Sequence, residues 1–347
     1  MAEEAQDKNE DTGELFEHFR YEVDPGQSPL RIDKYLQSKI MNVSRNKIQQ
    51  AATAGNILVN EKAVKQNYKV RPNDVVSIVM TSPPREVEIF AQDIPLNIVF
   101  EDDDIIIVNK QPELVVHPAH GHFDSTLLNG LAMHFEKTSQ KIENGFGYLV
   151  HRIDKNTSGL LLIAKNEPAQ TKLAKQFFDH TIERKYQALV WGDFDEESGT
   201  IEGHIGRSLK DRRVMTVFPD GEYGKSAISH YKVLKRFGYV SLVECQLETG
   251  RTHQIRAHFR YIGHPLFNDE HYGGDQILKG TTFTKYKQFV QNCFKIIPRQ
   301  SLHAYILGFE HPTTGKMMMF ESELPEDMRQ VIEKWDNYSS HRELFQD

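Results

Sequence analysis

Residues 148–165 read YLVHRIDKNTSGLLLIAK and hold one carboxylate, Asp154, between Arg152 and a Thr157-Ser158-Gly159 turn. Directly behind the turn comes an unbroken apolar run, Leu160 to Ala164. That run is too short for a helix and fits a strand buried on both faces. Charged side chains in a loop that enters a core strand are held by rigid structure, where a chain can place chemistry accurately. The competing reading is that His151, Arg152 and Asp154 merely solvate a connection.

The elements that would position this loop can be read on either side of it. Asn166 is expected to cap a helix carrying Leu173 and Phe177 on one stripe. A strand from Thr181 to Trp191 follows, with Ile182, Arg184, Tyr186, Ala188 and Val190 on one face by the period of two. Tyr186 then points inward, which for a tyrosine is also the ordinary place of a core residue with a bonded tip. Further on, Gly250-Arg251 precedes a helix, THQIRAHFRYIG, whose apolar face is Ile255, Phe259 and Ile262. His253, Arg256 and Arg260 fall on a different, basic face, which reads equally as solvated surface or as an RNA contact. Residues 207–213, RSLKDRR, place four bases in seven positions, in a loop or hairpin able to grip phosphates through Arg207, Arg212 and Arg213. His117, His120 and His122 lie close together, but their spacing matches no usual helical ligand pair, so no metal is expected.

Composition bounds the rest. With 347 residues, 26% charged and 39% hydrophobic, the chain has room for two domains and a substantial core. Two distant cysteines, Cys245 and Cys293, suggest neither a disulfide framework nor a zinc knuckle. No apolar segment approaches the roughly 20 residues that span a bilayer, and the acidic N-terminus is unlike a secretory signal, so a cytoplasmic protein is expected. The net charge of -7 hides a segregation. Residues 1–28 carry nine acids against two bases, and residues 31–71 carry nine bases against two acids. A basic module beside an acidic tail is the distribution of a polyanion binder.

Two stretches carry a family resemblance. HRIDKNTSGLLLIAK and LETGRTHQIRAHF resemble the signatures of the RluA-type pseudouridine synthases, with ERKYQALVWG, the HPAHGH loop, GHPLFNDEHYGG and SLHAYILGFEHPTTGK completing the likeness. RIDKYL, SRNKIQQAATAGNILVN and VRPNDVV resemble, in order and spacing, the S-four-type RNA-binding domain. The resemblance spans roughly residues 28–325 and departs mildly, at Ile153 and at Phe267-Asn268.

Residues 1–27, low in large apolar side chains, are expected to form a disordered or loosely docked acidic tail, Ser28-Pro29 and Ser44 to cap the first two helices, residues 81–88 with Pro83-Pro84 to be a linker, and residues 326–347 to be an acidic tail, helical or frayed. The resemblance implies an α+β fold, with an RNA-binding module over 28–80 and a mixed and mainly antiparallel catalytic domain over 89–325. It implies that Asp154 is the nucleophile, that Tyr186 stacks on the freed uracil and takes part in proton transfer, and that Arg251 pairs with Asp154. A cation within about 4 to 6 Å favours the ionised form of a carboxylate. Arg152 would enter the space left by an extruded nucleotide, and Arg31, Lys34, Arg45 and Lys47 would face RNA. No cofactor is needed for this isomerisation, and no nucleotide or metal motif is found. A monomer acting on large-subunit ribosomal RNA is the leading expectation; a transfer-RNA enzyme, a non-catalytic ribosome-assembly factor and a histidine-based metal hydrolase are the alternatives.

Overall fold

The computed structural model describes residues 16–40, 45–80, 89–118, 124–211 and 213–343. The chain divides into two compact units, residues 1–87 and 88–347. The expected linker over 81–88 lies outside the described residues, as do Ser44, His120, His122 and Arg212.

In the first unit, the helices Ile32–Lys39 and Arg45–Thr53 lay Ile32, Tyr35, Leu36 and Ile48 on a core shared with Ile57, Val59, Val76 and Ile78. The four-stranded sheet runs in the order Phe16–Glu22, Val75–Met80, Ile57–Val59, Lys62–Ala63. The hairpin turns at Asn60-Glu61, both with positive φ, as a two-residue connection demands. Two expectations are corrected. The first helix does not begin at Ser28-Pro29 but at Ile32, after a short strand Leu30–Arg31 that pairs with Lys69–Val70. The acidic tail is not loose over residues 16–22, which pair along the whole of Val75–Met80. Its acids face outward, while Val23 is buried and Tyr21 packs on the core, so the apolar minority decides the structure of this segment.

The second unit is built on an eleven-stranded sheet. Its central strand Glu183–Trp191 is flanked antiparallel by Val240–Leu247 and Leu302–Glu310. Ser158–Ala164 joins Leu302–Glu310 in a parallel pair and Ile105–Lys110 in an antiparallel one. Along Ser158–Ala164, Leu161 and Ile163 enter one core with helix Leu127–Lys137 and helix Gln254–Tyr261, and Leu160 and Leu162 enter another with helix Glu167–Phe178. Burial on both faces is what an uninterrupted apolar strand requires. Asn166 caps Glu167–Phe178 by accepting from the Ala169 N–H, and Thr126 and Asn129 form the capping box of Leu127–Lys137.

The acidic C-terminal segment, expected to be helical or frayed, is helical and docked: Glu326–Glu343 buries Met328, Val331 and Trp335 against Trp191, Phe267 and the helix Thr284–Ile296. Each such side chain contributes about 1.5–3 kcal/mol on burial. Glu326 and Glu333 of this segment are exposed, whereas Asp327 is partly buried against Arg299, so net charge alone concealed the docking of the helix. Among the described residues no helix is long and apolar enough to cross a membrane, and no cluster of metal-ligating side chains occurs.

Candidate active site

The loop that carries Asp154 is tied down through three consecutive carbonyls. The Thr157 N–H donates to the Asp154 carbonyl at 3.1 Å, the Lys110 ammonium to that of Lys155 at 2.8 Å, and the Arg299 guanidinium to that of Asn156 at 2.9 Å. Gly159, the second residue of the strand behind the loop, sits at φ 113, with the Ala304 carbonyl oxygen only 2.1 Å from where a Cβ would stand. No other residue fits there, which accounts for the glycine of the turn. Ile153 is buried beside Asp154 and anchors the loop in the core.

Lys110 is 1% exposed and also donates to the carbonyls of Gln111 and Leu114. Burial pulls its pKa down to about 7, with Arg299 adding and Asp154 opposing. Three carbonyl acceptors use all three ammonium protons, so the charged form is the one that satisfies the site. Arg299 is held in turn by Asp327, which accepts from its Nε at 2.7 Å and Nη2 at 2.9 Å. The C-terminal helix thereby reaches the Asp154 loop through one arginine.

The cation beside Asp154 is Arg256. Its Nη1 donates to Asp154 Oδ2 at 3.0 Å, while its Nε and Nη2 donate to Asp269 at 2.7 and 2.9 Å. The side chains of Arg256 and Asp269 are 4% and 0% exposed, against 20% for Asp154. Two carboxylates thus share one planar guanidinium, the buried one fixing its orientation and the other left more open. Burial works against the charge of Arg256, but Asp269 and then Asp154 outweigh it and raise its pKa. The ring of Tyr272 lies 4.8 Å from the guanidinium carbon.

Arg251, the expected partner of Asp154, does not reach it. Its Nε donates to the Ser226 carbonyl, and its backbone N–H to the Gln254 side chain. The loop before the helix carries Arg251 toward the neighbouring strand, whereas Arg256, in the first turn of Gln254–Tyr261, faces Asp154. The placing of Arg256 on a solvated, RNA-facing surface is corrected for the same reason. Residues Gln254 to Phe259 are all buried, because Ala257 and Tyr272 close a second core with Ile205, Val214, Val217 and Ala227. Only Arg260 of the basic face remains exposed.

Tyr186 is buried on the face that its strand alternation predicted, in the same core as Ile153, Leu161 and Cys245. Burial raises the pKa of its phenol, Arg184 opposes, and the Asp154 charge adds to the rise, so the group stays neutral and within electrostatic reach of Asp154. Arg152 is exposed two residues before Asp154.

The arginines expected to bind RNA in the first unit are partly engaged. Buried Asp33 accepts from Arg31 at 2.9 and 3.1 Å, from Arg45 at 2.9 Å and from Gln49 at 2.7 Å. Despite burial, these donors hold the Asp33 carboxyl far below its usual range. The two guanidiniums are thus oriented with part of their surface open, and Lys34 and Lys47 are exposed beside them. In the second unit Arg207 is exposed, and Arg213 pairs with Asp211 at the surface.

Comparison with known proteins agrees with this architecture. A family described as RNA pseudouridylate synthase matches residues 104–261, and the S4 domain matches residues 30–76. An RNA pseudouridine synthase of Chlorobaculum parvum, described as uncharacterized, is 44% identical over 316 residues, covering 90% of this chain and 96% of that protein. Ribosomal large subunit pseudouridine synthase D of Zymomonas mobilis is 39% identical over 305 residues, covering 86% of this chain and 92% of that protein. The solved structure of human RNA pseudouridylate synthase domain containing 4 has a TM-score of 0.53 at 22% identity, covering 69% of this chain and 93% of that one, a likeness of fold. Fold and relatives together define an RNA-modifying isomerase. The chain belongs to the RluA-type RNA pseudouridine synthases.

Sequence reasoning missed Lys110, His253, Asp269, Tyr272, Arg299 and Asp327. Asp269 and Tyr272 lie within GHPLFNDEHYGG, which was noted only as part of the likeness. For Lys110, Arg299 and Asp327 there was no local signal, since each acts on a backbone carbonyl or another charge distant in sequence.

Proposed function

We propose that the protein isomerises specific uridines of large-subunit ribosomal RNA, with Asp154 as the carboxylate that acts on the ribose. Arg256 pairs with that carboxylate and orients it, in the role first expected of Arg251. Tyr186 holds the detached uracil by stacking and serves the proton transfer at carbon 5. Arg152 fills the place of the extruded nucleotide and offsets part of the few kcal/mol that unstacking costs. Arg31, Lys34, Arg45 and Lys47 contact phosphates and set affinity and orientation, not sequence choice. The observation that carries this reading is the ordered line Asp269–Arg256–Asp154, which delivers one oriented, partly open carboxylate within electrostatic reach of a neutral phenol. The ribosomal target, and with it a cytoplasmic site of action, is supported by the names of relatives about 39% identical over most of the chain.

The experiment is direct. Asp154→Asn is expected to bind large-subunit ribosomal RNA with near wild-type affinity and to form no pseudouridine. Conversion by that variant would overturn the assignment of Asp154. Chemical mapping of ribosomal RNA from a strain lacking the gene should show pseudouridines missing from the large subunit; a full complement there would overturn the target.

A further inference from the structure

His253 faces Asp154 across a gap. Its Nε2 lies 3.8 Å from Asp154 Oδ2, beyond hydrogen-bond length. The residue is held at φ 52, left-handed backbone that a non-glycine residue adopts uncommonly and that recurs where a site fixes a side chain in place. Its other nitrogen, Nδ1, is 3.0 Å from the Tyr272 hydroxyl. Tyr272 is buried, and its hydroxyl oxygen already accepts from the Met215 N–H at 2.9 Å. A buried hydroxyl proton needs an acceptor, and among the described residues Nδ1 is the one in reach. Tyr272 therefore donates to Nδ1, and in the neutral ring, which burial favours although Asp154 opposes, the single proton sits on Nε2.

The result is an N–H donor and a carboxylate acceptor 3.8 Å apart, close enough for one oxygen lying beside the pair to bond to both. Such a group must accept from Nε2 and donate to Oδ2, and a hydroxyl does both. Oδ2 is the oxygen that Arg256 already engages, and Oδ1 has no hydrogen-bond partner among the described residues. Oδ1 is thus the atom open to the reacting carbons of the sugar, C1′ or C2′, and the hydroxyl adjacent to both is the 2′-hydroxyl. The geometry points to His253 and Asp154 Oδ2 as a reader of the 2′-hydroxyl of the target uridine, making His253 the residue that selects ribose over deoxyribose in the reacting nucleotide. This rests on the function proposed above, because it takes Asp154 to act on the ribose.

The test is a cycle between side chain and substrate. The shortest fragment of large-subunit ribosomal RNA that the wild-type protein converts is synthesised with uridine or 2′-deoxyuridine at the converted position. Single-turnover rates and affinities are then measured for wild type, His253→Phe and His253→Gln. Deoxy substitution is expected to slow the wild type about tenfold, the weight of one hydrogen bond. His253→Phe should slow the ribose substrate by a similar factor and lose most of the discrimination, while His253→Gln, whose amide N–H lies near the place of Nε2, should recover part of it. A variant that is slower on both substrates but keeps the wild-type ratio would show a merely structural histidine and overturn the inference alone. Failure of the wild type to convert any ribosomal fragment would overturn the proposed target and this inference together.

Discussion

Replacing Arg256 with methionine separates its two roles. Asp269 is 0% exposed and takes both its side-chain hydrogen bonds from Arg256, at 2.7 and 2.9 Å. Methionine would leave that carboxylate buried without a cation, and removing one member of such a pair costs about 3–5 kcal/mol. The loss of the cation over Tyr272 falls within that figure. The double change Arg256→Met with Asp269→Leu removes both buried charges, and most of the stability should return. Asp154 would still lack its cation, so conversion should stay about 100- to 1000-fold down in both proteins, the weight of one preorganised charge at a reacting group. Urea unfolding followed by near-ultraviolet dichroism measures the first quantity, and single-turnover pseudouridine formation measures the second. Arg251→Met, by contrast, should change stability by less than about 1 kcal/mol, because it loses only a surface bond to the Ser226 carbonyl. The reasoning fails if Arg251→Met removes activity while Arg256→Met is near wild type. It also fails in part if the double variant is as unstable as the single one, since Asp269 would then not be the source of the cost.

Two further expectations follow from buried groups. Lys110→Met strands the carbonyls of Gln111, Leu114 and Lys155; unfolding free energy should fall by at least about 2 kcal/mol, and conversion should fall further than that of an equally destabilised core variant, because the Lys155 carbonyl belongs to the Asp154 loop. His258 and His303 are buried, and burial holds both near pKa 4 in the folded protein. In the unfolded chain they titrate near 6.5, so above that pH neither state takes a proton and stability is fully present. As pH falls from about 6.5 toward 4, only the unfolded chain binds protons, and the two groups together should remove about 4 kcal/mol between pH 7 and pH 5. Urea midpoints measured at both values check this, and His258→Gln should recover close to half of the fall; an unchanged difference would refute it.

Much of the site was legible because its signals are local. The strand Ser158–Ala164 could be read from five consecutive apolar residues, and the face of Tyr186 from simple alternation along Glu183–Trp191. The cap at Asn166 followed from a side chain bonding the backbone three residues on. What misled was the assumption that charge marks the surface. Arg256 lies on the polar side of an amphipathic helix, yet that side is covered, and the acidic segments at 16–22 and 326–343 proved to be a paired strand and a docked helix.

By itself, then, the sequence determined the family, the strands and helices next to the central loop, and the loop that carries Asp154. It could not say which arginine attends that carboxylate, since Arg251 and Arg256 stand in one motif with the same chemistry. That choice was made in three dimensions, by a contact across 102 positions of chain and by a buried second carboxylate that holds one guanidinium in place. Electrostatic energy depends on distance in space and on exclusion of water, and neither is a property of neighbouring residues along the chain.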